Sequence, residues 1–429
     1  MQIYVIKQGD SLWNISRAFN TTVSELQNAN EIPDADRLVV GQALVIPIEG
    51  MYYWVRPGDS LWAIGRRFGI NYQELARVNN IDVNSPIQPG LRLYIPPATK
   101  TRAETNAYIE PLGDMVSPSL LLAAQQAAPL LTYLAPFSYQ ATREGGLNPM
   151  PLNGLPEIAE QYNTTLMMTV TNIEDGRFSG ELARAVLATE QAQQTLLDNI
   201  LAEARRVGFF SDVHFDFEFI PVDLRENYTQ FLLRATERLR GEGLLVSAAL
   251  APKTSAGQTG QWYEAHDYAA IGNIVDFVVI MTYEWGYSGG PPMPVSPIGP
   301  VEQVLQYALS EMPAYKIMMG QNLYGYDWTL PFVRGETFAR AISPQQAIQI
   351  ALDNNVSISY DYRAQAPFYN YTDNQGNRHI VWFEDARSIQ AKFDLLKRLG
   401  IRGISYWKLN FSFPQNWLLI DNNFNVTKR

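Results

Sequence analysis

Residues 211–219 read Ser-Asp-Val-His-Phe-Asp-Phe-Glu-Phe. Alternation of this kind signals a strand, in which successive side chains point to opposite faces. Asp212, His214, Asp216 and Glu218 then share one face, and Val213, Phe215, Phe217 and Phe219 pack on the other. Carboxylates two residues apart are separated by roughly 7 Å of backbone, close enough for repulsion to raise the proton affinity of one of them. Protonating a glycosidic oxygen near neutral pH needs such a partly neutral carboxyl group. A structural carboxylate cluster would have the same residues. A cation would want more oxygen ligands than two carboxylates beside an imidazole supply.

Other chemistries are excluded by composition. There is no cysteine, so disulfides, thiolate metal sites and cysteine nucleophiles are absent. The three histidines, His214, His266 and His379, are scattered and HExxH is missing, so no metal and no cofactor are expected. Gly286-Tyr287-Ser288-Gly289-Gly290 satisfies G-x-S-x-G, but Pro291-Pro292-Met293-Pro294 follows and cannot start the helix that a nucleophile elbow requires. This segment is expected to be a glycine-rich loop over the site.

The elements that would carry the carboxylates are legible from Thr105 onward, where apolar runs alternate with helical stretches as in βα units around a parallel sheet. Eight strands are predicted: 107–110, 131–138, 165–171, 212–219, 244–249, 277–282, 316–323 and 403–407. Polar and aromatic residues at their ends suit a barrel that opens onto a site. About 50 extra residues, 332–380, fall between the last two strands and are too long for an ordinary loop. They predict a small α/β insertion walling the site. The fold class is thus α/β, a (β/α)8 barrel over 105–429.

The first hundred residues repeat. GDSLW occupies Gly9 to Trp13 and again Gly58 to Trp62, and the register holds without a gap from Tyr4/Tyr53 to Ile46-Pro47/Ile95-Pro96. Each copy, 1–48 and 51–97, reads βααβ, with Ser11 or Ser60 placed to cap the first helix. Trp13 and Trp62 are expected in the cores of their copies. GDSL also names a group of serine esterases, but here the block is duplicated and no D-x-x-H partner exists.

These copies resemble the LysM module, with its YxVxxGDSLWxIxxxF opening and its closing LxIP. The resemblance implies binding of N-acetylglucosamine-containing glycans between the GDSLW loop and the loop after the second helix, through Gly9, Asp10, Ser11, Asn30 and Ile32 in one copy. Gly58, Asp59, Ser60, Asn79 and Ile81 are their counterparts in the other. The stretch ending at Glu218 resembles the DxxDxDxE signature of glycoside hydrolase family 18, with Ser211 and His214 replacing the first two aspartates. The resemblance makes Glu218 the general acid/base and Asp216 the holder of the substrate acetamido N–H. Met281-Thr282-Tyr283-Glu284 resembles the family's MxYD block, which puts Tyr283 on the acetamido oxygen and Glu284 in place of the usual Asp. Ser405-Tyr406-Trp407 resembles the block whose Trp floors the bound sugar. His214 is expected to hydrogen-bond Asp216. Asn172, Tyr139, Trp285, Asn322 and Tyr324 are the further substrate-binding candidates.

Tandem LysM units joined to this barrel resemble the cortex-lytic N-acetylglucosaminidases of spore-forming bacteria. The resemblance implies cleavage on the reducing side of N-acetylglucosamine in spore cortex peptidoglycan during germination, and residence in the spore's outer layers. A chitinase, an endo-N-acetylglucosaminidase on another polymer, or a non-catalytic glycan-binding protein remain alternatives. No secretory signal pattern or run of membrane-span length is present. A net charge of −10 disfavours nucleic acid as a partner. Residues 1–100 hold equal numbers of acidic and basic residues, so all the excess acid lies in the barrel, and the second repeat, within residues 51–100 at +3, suits carboxylate-bearing peptide stems.

Overall fold

The computed structural model describes residues 1–429. Each repeat folds as one two-stranded antiparallel sheet and two helices. Gln2–Val5 pairs with Ala43–Ile46 around helices Leu12–Phe19 and Val23–Asn30, and Met51–Trp54 pairs with Arg92–Ile95 around Leu61–Phe68 and Tyr72–Val78. Ser11 Oγ accepts from Asn14 N–H and Ser60 Oγ from Ala63 N–H, as N-caps do. Gly9 and Gly58 both sit at φ +86°, a turn conformation that a side chain would strain. Leu12, Ile15 and Phe19 supply the buried stripe of the first module. Trp13 falls off this stripe and is 60% exposed, and Trp62 is 57% exposed, which corrects their placement in the core. Arg17 and Arg66 lie 5.0 and 5.4 Å over the two indole rings.

Eight parallel strands close a barrel: β1 (Thr101–Ile109), β2 (Tyr133–Pro136), β3 (Thr165–Thr171), β4 (Phe210–Asp216), β5 (Leu245–Leu250), β6 (Phe277–Ile280), β7 (Ile317–Asn322) and β8 (Gly403–Trp407). Pairing runs from each strand to the next and returns from β8 to β1, which leaves no open edge. A Cβ at Gly403 would meet the Glu104 carbonyl oxygen at 1.8 Å, so only glycine lets β8 come this close to β1. Outside the barrel, Phe215 packs edge-on against Phe231, and Phe217 stacks on Tyr228, 6.0 Å away. Strand β4 ends at Asp216, earlier than the alternation predicts. Phe219 adopts φ +53° and is 43% exposed rather than packed on the helices.

The insertion is a five-stranded antiparallel sheet spanning Gly325–Leu330 to Arg378–Trp382, with helix Pro344–Asp353 against it. It begins seven residues before the predicted start because its first strand follows directly on β7.

The first repeat does not hang free. Ala43 and Val45 are buried in the main barrel core, and Val39 belongs to the core of the insertion. Gln415 Nε2 donates to Asn30 Oδ1 (2.7 Å) and to the Ala43 carbonyl (2.9 Å), and Ile358 N–H donates to the Val40 carbonyl at 2.9 Å. The second module touches the first through Gln2, whose amide exchanges two hydrogen bonds with the backbone of Tyr52.

Candidate active site

Asp216 is the last residue of β4 and Glu218 lies two residues beyond it, at the C-terminal mouth of the barrel. Asn172, just after β3, fixes this turn. Its Nδ2 donates to the carbonyls of Glu218 (2.8 Å) and Ser179 (3.0 Å), while its Oδ1 accepts from Glu218 N–H (2.9 Å). Glu218 Oε2 accepts from Trp262 Nε1–H at 2.5 Å. Burial, reinforced by the neighbouring Asp216 charge, pushes the Glu218 carboxyl well above the ordinary carboxylate range. Asp216 is raised by burial as well, and its Oδ1 has no partner.

Tyr283 and Glu284 follow β6. Tyr283 is nearly buried, and Glu284, at φ +66°, accepts hydrogen bonds from the hydroxyls of Tyr324 and Tyr326. Burial raises the Glu284 pKa, and the two phenols oppose that rise. At the end of β8, the Trp407 ring stands edge-on to Phe137 and Tyr108, 4.7 and 5.4 Å away. Asp216, Glu218, Tyr283, Glu284, Tyr324 and Trp407 line one cavity of about 440 Å³. A second cavity of about 470 Å³ adjoins across Trp262, Tyr283 and Glu284, and Trp285 faces it. Their combined size is that of an ordinary ligand cleft.

Other candidates are engaged elsewhere. His214 does not bond Asp216. Its Nε2 meets the Tyr108 hydroxyl (2.8 Å) and its Nδ1 meets Ser247 Oγ (2.7 Å), which also donates to Asp212 Oδ1 (2.7 Å). Burial keeps this imidazole neutral, with its pKa lowered to about 3, and raises Asp212 to about 8. Tyr139 points outward from the barrel, its hydroxyl on Glu203 at 2.9 Å, and lines neither cavity. Asn322 is fully buried, its amide spent on Tyr324 O and Gln321 Nε2. Asn172 holds the Glu218 backbone and offers no free group to a ligand. Asn30 and Asn79 are likewise occupied, each bonding its own helix and the strand that closes its module. Asp10 and Asp59 accept from Tyr4 and Tyr53 at 2.7 and 2.6 Å. Ile32 is buried and Ile81 partly buried. Ser288 donates to the Ala339 carbonyl within the loop over the site.

Trp262 was not legible as a site residue, since its segment carries no periodicity or motif. Only the need of a buried acid for a donor could have suggested such a group.

The profile of Glycosyl hydrolases family 18 matches residues 143–411, and that of the LysM domain matches 4–47 and 53–96. The chain belongs to glycosyl hydrolases family 18. This family 18 glycosidase is 61% identical to the cortical fragment-lytic enzyme of Bacillus subtilis over 429 residues, covering 100% of this chain and 99% of that one. It is 50% identical to the cortical fragment-lytic enzyme of Bacillus anthracis, with full coverage of both. The crystal structure of the Bacillus megaterium spore cortex-lytic enzyme SleL superposes with a TM-score of 0.93 at 52% identity, covering 100% of this chain and 99% of that one. No helix of the family 18 glycosidase is long and apolar enough to cross a membrane.

Proposed function

We propose that this glycosidase hydrolyses β-1,4 bonds on the reducing side of N-acetylglucosamine in spore cortex peptidoglycan fragments during germination, acting in the spore's outer layers. The names of its full-length relatives support the substrate. One observation carries the chemistry: a buried, proton-retaining Glu218 stands two residues from an Asp216 whose Oδ1 lacks a donor. A substrate acetamido N–H supplies that donor.

Catalysis is then substrate-assisted and retaining, outside the usual scheme of two enzyme carboxylates. Glu218 transfers its proton to the glycosidic oxygen as the bond from that oxygen to the anomeric carbon breaks. The acetamido oxygen attacks the same carbon and forms an oxazolinium ion. Asp216 holds the N–H, and the Tyr283 hydroxyl holds the acetamide oxygen, stabilising the charge that develops. Glu218, now ionised, takes a proton from water, which opens the ring with net retention. Trp407 floors the sugar, and Tyr324 and Tyr326 hold Glu284 at the rim.

Incubation with cortex fragments and with chitin, borohydride reduction of the new ends and mass spectrometry of the reduced sugar test the reading. Reduced N-acetylglucosamine from cortex is expected, and reduced muramic ends would contradict it. Glu218→Gln should abolish hydrolysis while fragment binding persists.

A further inference from the structure

An opening larger than either cavity at the barrel mouth lies away from the carboxylates. It is a cleft of about 1020 Å³ between the first LysM module and the barrel. Its walls are three helices from two domains. Val23–Asn30 presents Asn28, Pro118–Ala127 presents Leu122 and Gln126, and Pro414–Asn423 presents Trp417. The floor is the segment leaving β8, and its Phe411 lines both this cleft and the catalytic cavity. That floor is pinned at both ends. Asn410 exchanges two hydrogen bonds with the backbone of Glu110, at the cavity's edge, and Ser412 Oγ donates to Glu31 of the module at 3.3 Å. The module itself is anchored through its buried Val45 and Asn30. The cleft is thus a fixed feature of the fold.

Its lining mixes aromatic and aliphatic surface with amides and hydroxyls, as saccharide rings require. Leu122 is 55% exposed into it with no protein partner to cover it. Three carboxylates, Glu25, Glu31 and Asp421, line the cleft; Lys100, outside the lining, pairs with Asp421, and no cation faces Glu25 or Glu31 from the cleft wall. An anionic ligand is therefore repelled, whereas an uncharged chain of amino sugars meets no such penalty. We infer that this cleft binds an uncharged stretch of the glycan whose scissile sugar occupies the catalytic cavity, so that one strand runs past Phe411 toward the second helix of the first LysM module. The inference rests on the proposed function, and adds a length-dependent subsite built jointly by module and barrel.

The test compares tetrasaccharide and decasaccharide fragments of stem-free cortex glycan whose muramic residues are lactams, and which are therefore uncharged, as substrates of the full chain. The parent should bind the decasaccharide more tightly, with a lower KM. Leu122→Glu and, separately, Asn28→Trp charge or fill the cleft from exposed positions. Each should shrink the KM advantage of the long fragment about tenfold, the effect of one lost interaction, with kcat for the decasaccharide unchanged. A parent with equal KM for both fragments, or variants that preserve the ratio, would overturn the cleft reading alone. A parent that hydrolyses neither fragment would instead overturn the functional proposal on which it rests.

Discussion

Trp262→Phe isolates the one side-chain hydrogen bond to the acid. The substitution deletes the indole N–H that donates to Glu218 Oε2 and keeps an aromatic ring on Phe219, now 6.4 Å away and nearly parallel. That N–H favours the ionised carboxylate and so opposes the rise that burial imposes. A hydrogen bond to a charged acceptor contributes about 1.5–3 kcal/mol, and one pKa unit corresponds to about 1.4 kcal/mol. Losing the donor therefore raises the proton affinity of the Asp216–Glu218 pair by about one to two units. In the proposed mechanism Glu218 must hold its proton for the first step, so activity falls as pH rises through this pKa. The alkaline limb of kcat/KM on soluble fragments should move upward by about one unit or more, while its plateau drops a few-fold because a weaker acid transfers its proton less readily. An unmoved or downward-shifted alkaline limb would refute the role given to Trp262.

Asn172→Ala removes three hydrogen bonds around Glu218 and strands buried backbone groups. At about 1–3 kcal/mol for each orphaned group, urea unfolding should show a loss of about 3 kcal/mol, and kcat should fall more than KM rises. His214→Asn tests the neutral imidazole. Its folded pKa is depressed to about 3, so below about pH 6.5 the unfolded chain takes up a proton that the folded one refuses, and the parent loses about 1.4 kcal/mol per pH unit from this group as pH falls. The variant, less stable at neutral pH, should close the gap with the parent on acidification; parallel stability curves would contradict the assignment. Removing residues 1–97 uncovers the surface that buried Val45 and Ala43, worth about 2 kcal/mol or more. The barrel's Tm should therefore drop by several degrees, and an unchanged Tm would show that the first module contributes nothing to it.

Strand positions were legible because a closed parallel barrel needs buried runs of apolar residues, and Thr165–Thr171 and Gly403–Trp407 appear where the sequence places them. The end of β4 was not. Alternation continues through Phe219, but the backbone turns at Glu218 under the Asn172 clamp, a contact between residues 46 positions apart. The docking of the first module was hidden for a similar reason. Val39, Ala43 and Val45 suit the core of a small module as well as they suit an interface, and Gln415, which reads Asn30, carries no local pattern. Trp13 failed in the opposite sense, since repetition at both copies marks a shared requirement without saying whether it is burial.

His214 shows why a shared face does not name a partner. Along a strand, same-face residues are roughly 7 Å apart, whereas neighbouring strands lie about 4.8 Å apart. An imidazole on the inner face therefore reaches sideways more easily than forward. Its register opposite Thr169 on β3 and Ser247 on β5 places Ser247 within a hydrogen bond, while Asp216 is left to the cavity. The consequence is electrostatic. With His214 neutral and Asp212 raised to about 8, the barrel interior beneath the site carries little charge near neutral pH. No cation there pulls the proton from Glu218, and the negative charge of Asp216 remains the main electrostatic influence on it. The substitution that breaks the family signature thus leaves in place the condition that the proposed role of Glu218 needs, a buried carboxyl whose proton is held by burial and by one neighbouring carboxylate.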